Sequence, residues 1–179
     1  DMINWETGGG QYWSENYDPY DPFSLADAHT PLTTGQQEMV DQGQLCPILI
    51  TQASLYPEGR IQSVLLKGIA ADQDILKIPT GRLDTTVYGI PAVIGSVMAE
   101  NNHLSEGDLV TLRWRDANGT FDAGELFIAG VFHTNVPSVD GGQVWVSLDQ
   151  LQEMMIMPGE ATLLVKAPGD GRRRLHVHG

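Results

Sequence analysis

Residues able to do chemistry are plentiful in this chain, but their spacing serves no catalytic or metal site. His29, His103, His133, His176 and His178 are scattered too widely for a zinc-ligand pattern. Only His176-Val177-His178 puts two imidazoles on one face, where they read as the outer face of a terminal strand. Asp116, Asn118, Thr120, Asp122 and Glu125 resemble a calcium loop, because oxygen ligands alternate after an aspartate. The positions that demand glycine and a bidentate glutamate hold Phe121 and Phe127, so a solvated hairpin tip is expected instead. Gly95-Ser96 lacks the flanking glycines of a serine elbow, and no phosphate-binding Gly-x-x-x-x-Gly-Lys-Ser/Thr occurs. Pairs such as Asp18 with Asp21, or Glu106 with Asp108, are what 23 acidic residues bring together by chance. The expectation is a protein without catalytic residues, metal ligands or a cofactor.

Recognition of a partner is the better use for the remaining candidates, since aromatic and methionine side chains anchor interfaces. Two clusters qualify: Tyr12, Trp13, Tyr17, Tyr20 and Phe23 near the start, and Met154, Met155, Ile156 and Met157 near the end. Trp13, Tyr17, Met154, Met155 and Met157 are the candidate partner-binding residues, with ordinary core cover as the competing reading. A net charge of −13, from 23 acidic and 10 basic residues, argues against nucleic acid, which needs a concentrated basic face. The single cysteine, Cys46, lies in the apolar run Leu45 to Ile50 and reads as a buried small hydrophobe. With 41% hydrophobic and 18% charged residues over 179 positions, the chain should bury one sizeable core.

The elements that must carry these residues follow from local pattern. Residues 6 to 32, rich in glycine, aromatics and Asp-Pro, read as a loop laid on the core. Thr33 starts a helix that ends near Gln42 before Gly43, with Gln37 or Glu38 completing a capping box. Leu45 to Ala53 and Gln62 to Ala70 are buried strands around the turn Tyr56-Pro57-Glu58-Gly59, and Asp72 to Leu76 forms a short helical turn. Asn118-Gly119 marks a hairpin, Leu148 to Met155 has helical spacing, and Thr162 to Val165 closes as a strand. Gly107-Asp108 supplies a left-handed turn, and Gly130 marks a bulge or a close backbone approach. Helices and strands segregated in this way give an α+β fold with a mixed sheet. No apolar run reaches membrane-spanning length and no signal peptide is evident, while both ends read as cut from a longer chain.

One stretch carries a resemblance. Ala92-Val93-Ile94-Gly95-Ser96-Val97-Met98-Ala99-Glu100, then Leu104, Gly107-Asp108-Leu109-Val110-Thr111-Leu112 and Phe127-Ile128-Ala129-Gly130-Val131-Phe132, resembles the MacB-like periplasmic core domain. Asp140 and Val144-Trp145-Val146-Ser147-Leu148-Asp149-Gln150-Leu151-Gln152 continue the likeness, so that residues 92 to 152 match in motif. This is the extracytoplasmic domain of ABC transporter permeases of the FtsX, lipoprotein-releasing and macrolide-exporter group. The resemblance implies a helix-backed porter-like subdomain, residues 1–69 and 131–179, with a β-rich sabre-like subdomain, residues 70–130. It also implies a non-catalytic domain outside the bacterial inner membrane, coupling ATP-driven helix movement to lipoprotein release or export. The implied partners are a cytoplasmic ATPase acting through flanking transmembrane helices, a second permease subunit in a homo- or heterodimer, and a lipoprotein, adaptor or cell-wall hydrolase. A soluble extracytoplasmic ligand-binding or sensor module is the alternative.

Overall fold

The structure, a computed structural model, describes residues 5–8, 11–14, 28–85, 87–133 and 142–167. Along the chain it contains β1 (Trp5–Gly8), β2 (Gln11–Ser14), β3 (Thr30–Pro31), α1 (Thr34–Asp41), β4 (Leu45–Leu55), β5 (Gln62–Ile69), β6 (Ile90–Gly95), α2 (Ser96–Asn101) and β7 (Leu109–Arg115). There follow β8 (Phe121–Phe132), β9 (Gln143–Ser147), α3 (Leu148–Met155), β10 (Glu160–Ala161) and β11 (Leu163–Lys166). The fold is α+β with a sheet of mixed orientation.

The sheet order is β1-β2-β11-β4-β5-β9-β6-β8-β7, and β7 also returns to pair with β4. Six strands, β4-β5-β9-β6-β8-β7, therefore close into a ring, sealed where Ala53, Ser54 and Leu55 face Trp114, Arg113 and Leu112. Pairing is antiparallel except between β5 and β9 and between β6 and β8. Alternation of side chains along each strand sends Leu55, Leu66, Ile94, Leu112, Leu126, Ile128, Val144 and Val146 inward, where all are buried. Met98 of α2 and Leu151 of α3 join that core. The long strand β4 is shared: its first half leaves the ring and pairs with β11, which carries the β1–β2 hairpin.

A second core covers the outer face of the ring, where Ile48, Ile50, Ile69, Val93 and Trp145 meet Ile75, Leu76 and Ile78 from the connection after β5. That connection is not the helical turn expected at Asp72–Leu76. Gln73 explains why: its Oε1 accepts from the backbone N–H groups of Ile75 and Leu76, at 2.9 and 2.7 Å, which diverts them from helical bonding. Its Nε2 donates to the Leu76 carbonyl and to Thr80 Oγ1, and a 3-10 helix forms later, at Thr80–Asp84.

Other local details depart from expectation in small, explicable ways. Trp5–Gly8 and Gln11–Ser14 pair as antiparallel strands where a loop was expected. The capping box of α1 is completed by Gln36, the third helical residue, and not by Gln37 or Glu38. At the β7–β8 hairpin only Gly119 has positive φ, at 80°. Asp116 shapes the turn, its Oδ1 accepting from the Asn118 and Thr120 amides. Gly130 serves both expected purposes: the β6–β8 register slips between Ala92 and Val93, and a Cβ there would lie 3.3 Å from Val93 Cγ1.

Candidate functional site

Of the anticipated partner-binding residues, the structure places the three methionines in or against the core. Met155 and Met157, 4% and 5% exposed, belong to the core inside the ring, and Met154 packs against it half-buried. Helical spacing explains this, since the apolar face of α3 is the one that must cover the ring. The exposed apolar residue of that group is Ile156, the left-handed cap of α3. Trp13 lies on β2, and Tyr17, Tyr20 and Phe23 fall outside the described residues. Tyr12 is half-buried beneath the ammonium of Lys166, which stands 4.7 Å from its ring centre.

Among the described residues no three histidine, cysteine, aspartate or glutamate side chains converge on a possible metal position. His176 and His178 lie outside the described residues. His29 and Glu160 hydrogen-bond to each other and tie the two strands of the small β3–β10 sheet, and His103 bonds Glu58 on the surface. Cys46 is buried, with its thiol pushed up to about 12 by desolvation and then by Asp72, which leaves it protonated and inert at neutral pH.

Among the described residues a cleft of about 1160 Å³ has the outer face of β4, β5 and β7 in its lining. Register fixes which side chains share that face of the sheet, within the cleft and beyond it. Arg113 faces Ser54, Ser54 faces Ser63, and alternation along β5 adds Leu65 and Lys67 to the same side. Arg115 and Phe121, paired on β7 and β8, extend the row. The Phe121 ring, 58% exposed, lies under two guanidinium groups, Arg113 at 4.5 Å and Arg115 at 5.6 Å from its centre. Arg115 is further held by its Nε donating to the Gly119 carbonyl. At the other end of the row the Lys67 ammonium stands 5.1 Å from the ring centre of Trp145. Burial in apolar surroundings lowers the Lys67 pKa from 10.5 to about 8. The Trp145 Nε1 donor, also buried, meets no acceptor among the described residues.

Sequence reasoning missed this cluster. The signal was present: hairpin register about Asp116–Gly119 places Arg113, Arg115 and Phe121 on one face, and Lys67 is a single cation in the apolar run Val64 to Ile69.

No family model and no curated protein matches the sequence. Solved structures match its fold. The extracellular domain of the noncanonic ABC-type transporter YknZ, from Gram-positive bacteria, superposes with a TM-score of 0.51 at 14% identity, covering 81% of this chain and 78% of that one. The periplasmic region of MacB from Actinobacillus actinomycetemcomitans gives a TM-score of 0.53 at 9% identity, covering 84% of this chain and 72% of that one. At such identities it is the fold that is shared: this chain has the fold of the extracytoplasmic domains of ABC-type transporter permeases.

Proposed function

We propose that the chain is the extracytoplasmic domain of an ABC transporter permease subunit, a non-catalytic module outside the cell membrane that transmits ATP-driven movement of membrane helices. The observation that carries the reading is the fold shared with two permease domains over more than four-fifths of this chain. A cytoplasmic ATPase is the necessary partner, engaged through membrane helices outside this segment. Among the described residues no helix is long and apolar enough to cross a membrane.

Within this reading the porter-like unit comprises residues 1–69 and 131–179 and the sabre-like unit residues 70–130. The two share strands of one sheet, so movement at one end passes through the ring to the other. Release of lipoproteins or export of a substrate is the work proposed, carried out by a dimer of permease subunits with a lipoprotein, adaptor or cell-wall hydrolase on the outer side. Of the anticipated contact residues, Trp13, Tyr17 and Met154 are proposed to face that partner, while Met155 and Met157 support the surface from the core.

Affinity purification of the tagged full-length protein from detergent-solubilised membranes tests this reading. It predicts recovery of a stoichiometric ATPase carrying a Walker loop. A full-length protein without flanking apolar segments of about 20 residues, recovered alone from the soluble fraction, overturns it.

A further inference from the structure

The basic row on the outer face of the ring has a chemistry of its own, independent of the permease reading. The chain carries a net charge of −13, yet Arg113 and Arg115 line one cleft, and Lys67 stands on the same sheet face just past it, two residues beyond the lining residue Leu65. Among the described residues the ion pairs are His29–Glu160, Arg82–Glu106 and His103–Glu58, so none of these three cations is neutralised by a carboxylate. Both guanidinium groups lie over the Phe121 ring, and beyond the Arg115 Nε bond to Gly119 their N–H groups can serve a bidentate acceptor. Ser54, Ser63 and Gln52 supply polar groups between the two charged ends. From the Arg113 row to the Lys67 row is four residues along the sheet and two strands across, or roughly 16 Å from standard strand spacings.

We infer that this cleft, with the sheet face that continues it along β5, binds an acidic, extended peptide segment of a partner protein, one carboxylate on the Arg113–Phe121–Arg115 stack and a second at Lys67. A separation of roughly 16 Å corresponds to about five residues of extended chain. Charge complementarity favours such a segment, because a carboxylate removes two uncompensated charges at once and adds acceptors for donors already in place. Concavity disfavours a bilayer, since a flat surface of headgroups does not follow the cleft down to Ser54 and Ser63.

The test is isothermal titration of the whole 179-residue chain with a hexaglutamate peptide, and with hexaglutamine, inorganic phosphate and phosphatidylglycerol vesicles as separate arms. Hexaglutamate should bind, weaken steeply as salt rises, and lose about tenfold or more in affinity in the double variant Arg113→Gln, Arg115→Gln. Lys67→Met keeps the stem over Trp145, removes only the ammonium, and should weaken binding without lowering the thermal midpoint. Equal binding of hexaglutamine, or unchanged affinity in both variants, overturns the inference. So does phosphate or vesicle binding that matches hexaglutamate in strength and depends on the same side chains.

Discussion

Leu151 of α3 occupies the space that a side chain at position 68 would fill: a Cβ on Gly68 would lie 2.9 Å from Leu151 Cβ and 3.2 Å from the Leu148 Cα. The helix therefore sits directly on the β5 backbone, and its leucine enters the core of the ring. Gly68→Ala should destabilise by about 1–3 kcal/mol through overpacking, and Leu151→Ala by about 2–5 kcal/mol through the cavity it leaves. Urea midpoints measure both. The double variant should cost less than the sum, because the smaller residue at 151 makes room for the methyl at 68.

Gln73 holds the outer connection together by accepting two backbone N–H bonds and donating to Leu76 and Thr80. Gln73→Ala leaves those groups to find other partners, a loss of about 1–3 kcal/mol. Hydrogen exchange should quicken at the Ile75 and Leu76 amides first, while amides of the β4–β5 pair stay protected.

The β7–β8 hairpin, α3 and the strand β4 were legible because their signals are local: Asp116-Ala117-Asn118-Gly119, the spacing of Leu148, Leu151 and Met155, and the run from Leu45 to Ile50. Closure of the ring was not. It depends on Leu55 meeting Leu112 and Trp114 meeting Ala53, residues far apart in sequence whose pairing leaves no mark in either strand alone. The methionines after Glu153 suggested a surface, but the face of α3 that must bury apolar area takes Met155 inward, and the chain reversal at Ile156 returns Met157 to the same core. The cationic row was hidden for another reason, since alternating Arg113 and Arg115 resemble any solvated strand face until β4 and β5 are set beside them.

Lys67 makes stability depend on alkaline pH in a defined direction. Its pKa is lowered from 10.5 to about 8, so between those values the unfolded chain holds a proton that the native chain has lost. Stability from this residue is incomplete below pH 8 and rises with pH through that window. Lys67→Met should be more stable than the wild type at pH 7, with the gap closing by about pH 10, as read from urea midpoints at each pH. A gap that is constant with pH contradicts the assignment.

Cys46 should resist alkylation in the native protein at pH 8, since the thiol is buried and titrates only near 12. Iodoacetamide labelling followed by mass spectrometry should show modification only once denaturant unfolds the chain. Rapid native labelling would contradict its placement in the outer core.

That inertness makes the central claim directly measurable. Ala123 is exposed on the outer face of β8, so Ala123→Cys gives the full-length protein one accessible thiol within this segment. A membrane-impermeant maleimide should label it in intact cells whose outer barrier alone has been made permeable, because the account places this domain outside the cell membrane. Labelling that occurs only after the cell membrane itself is disrupted would contradict that account.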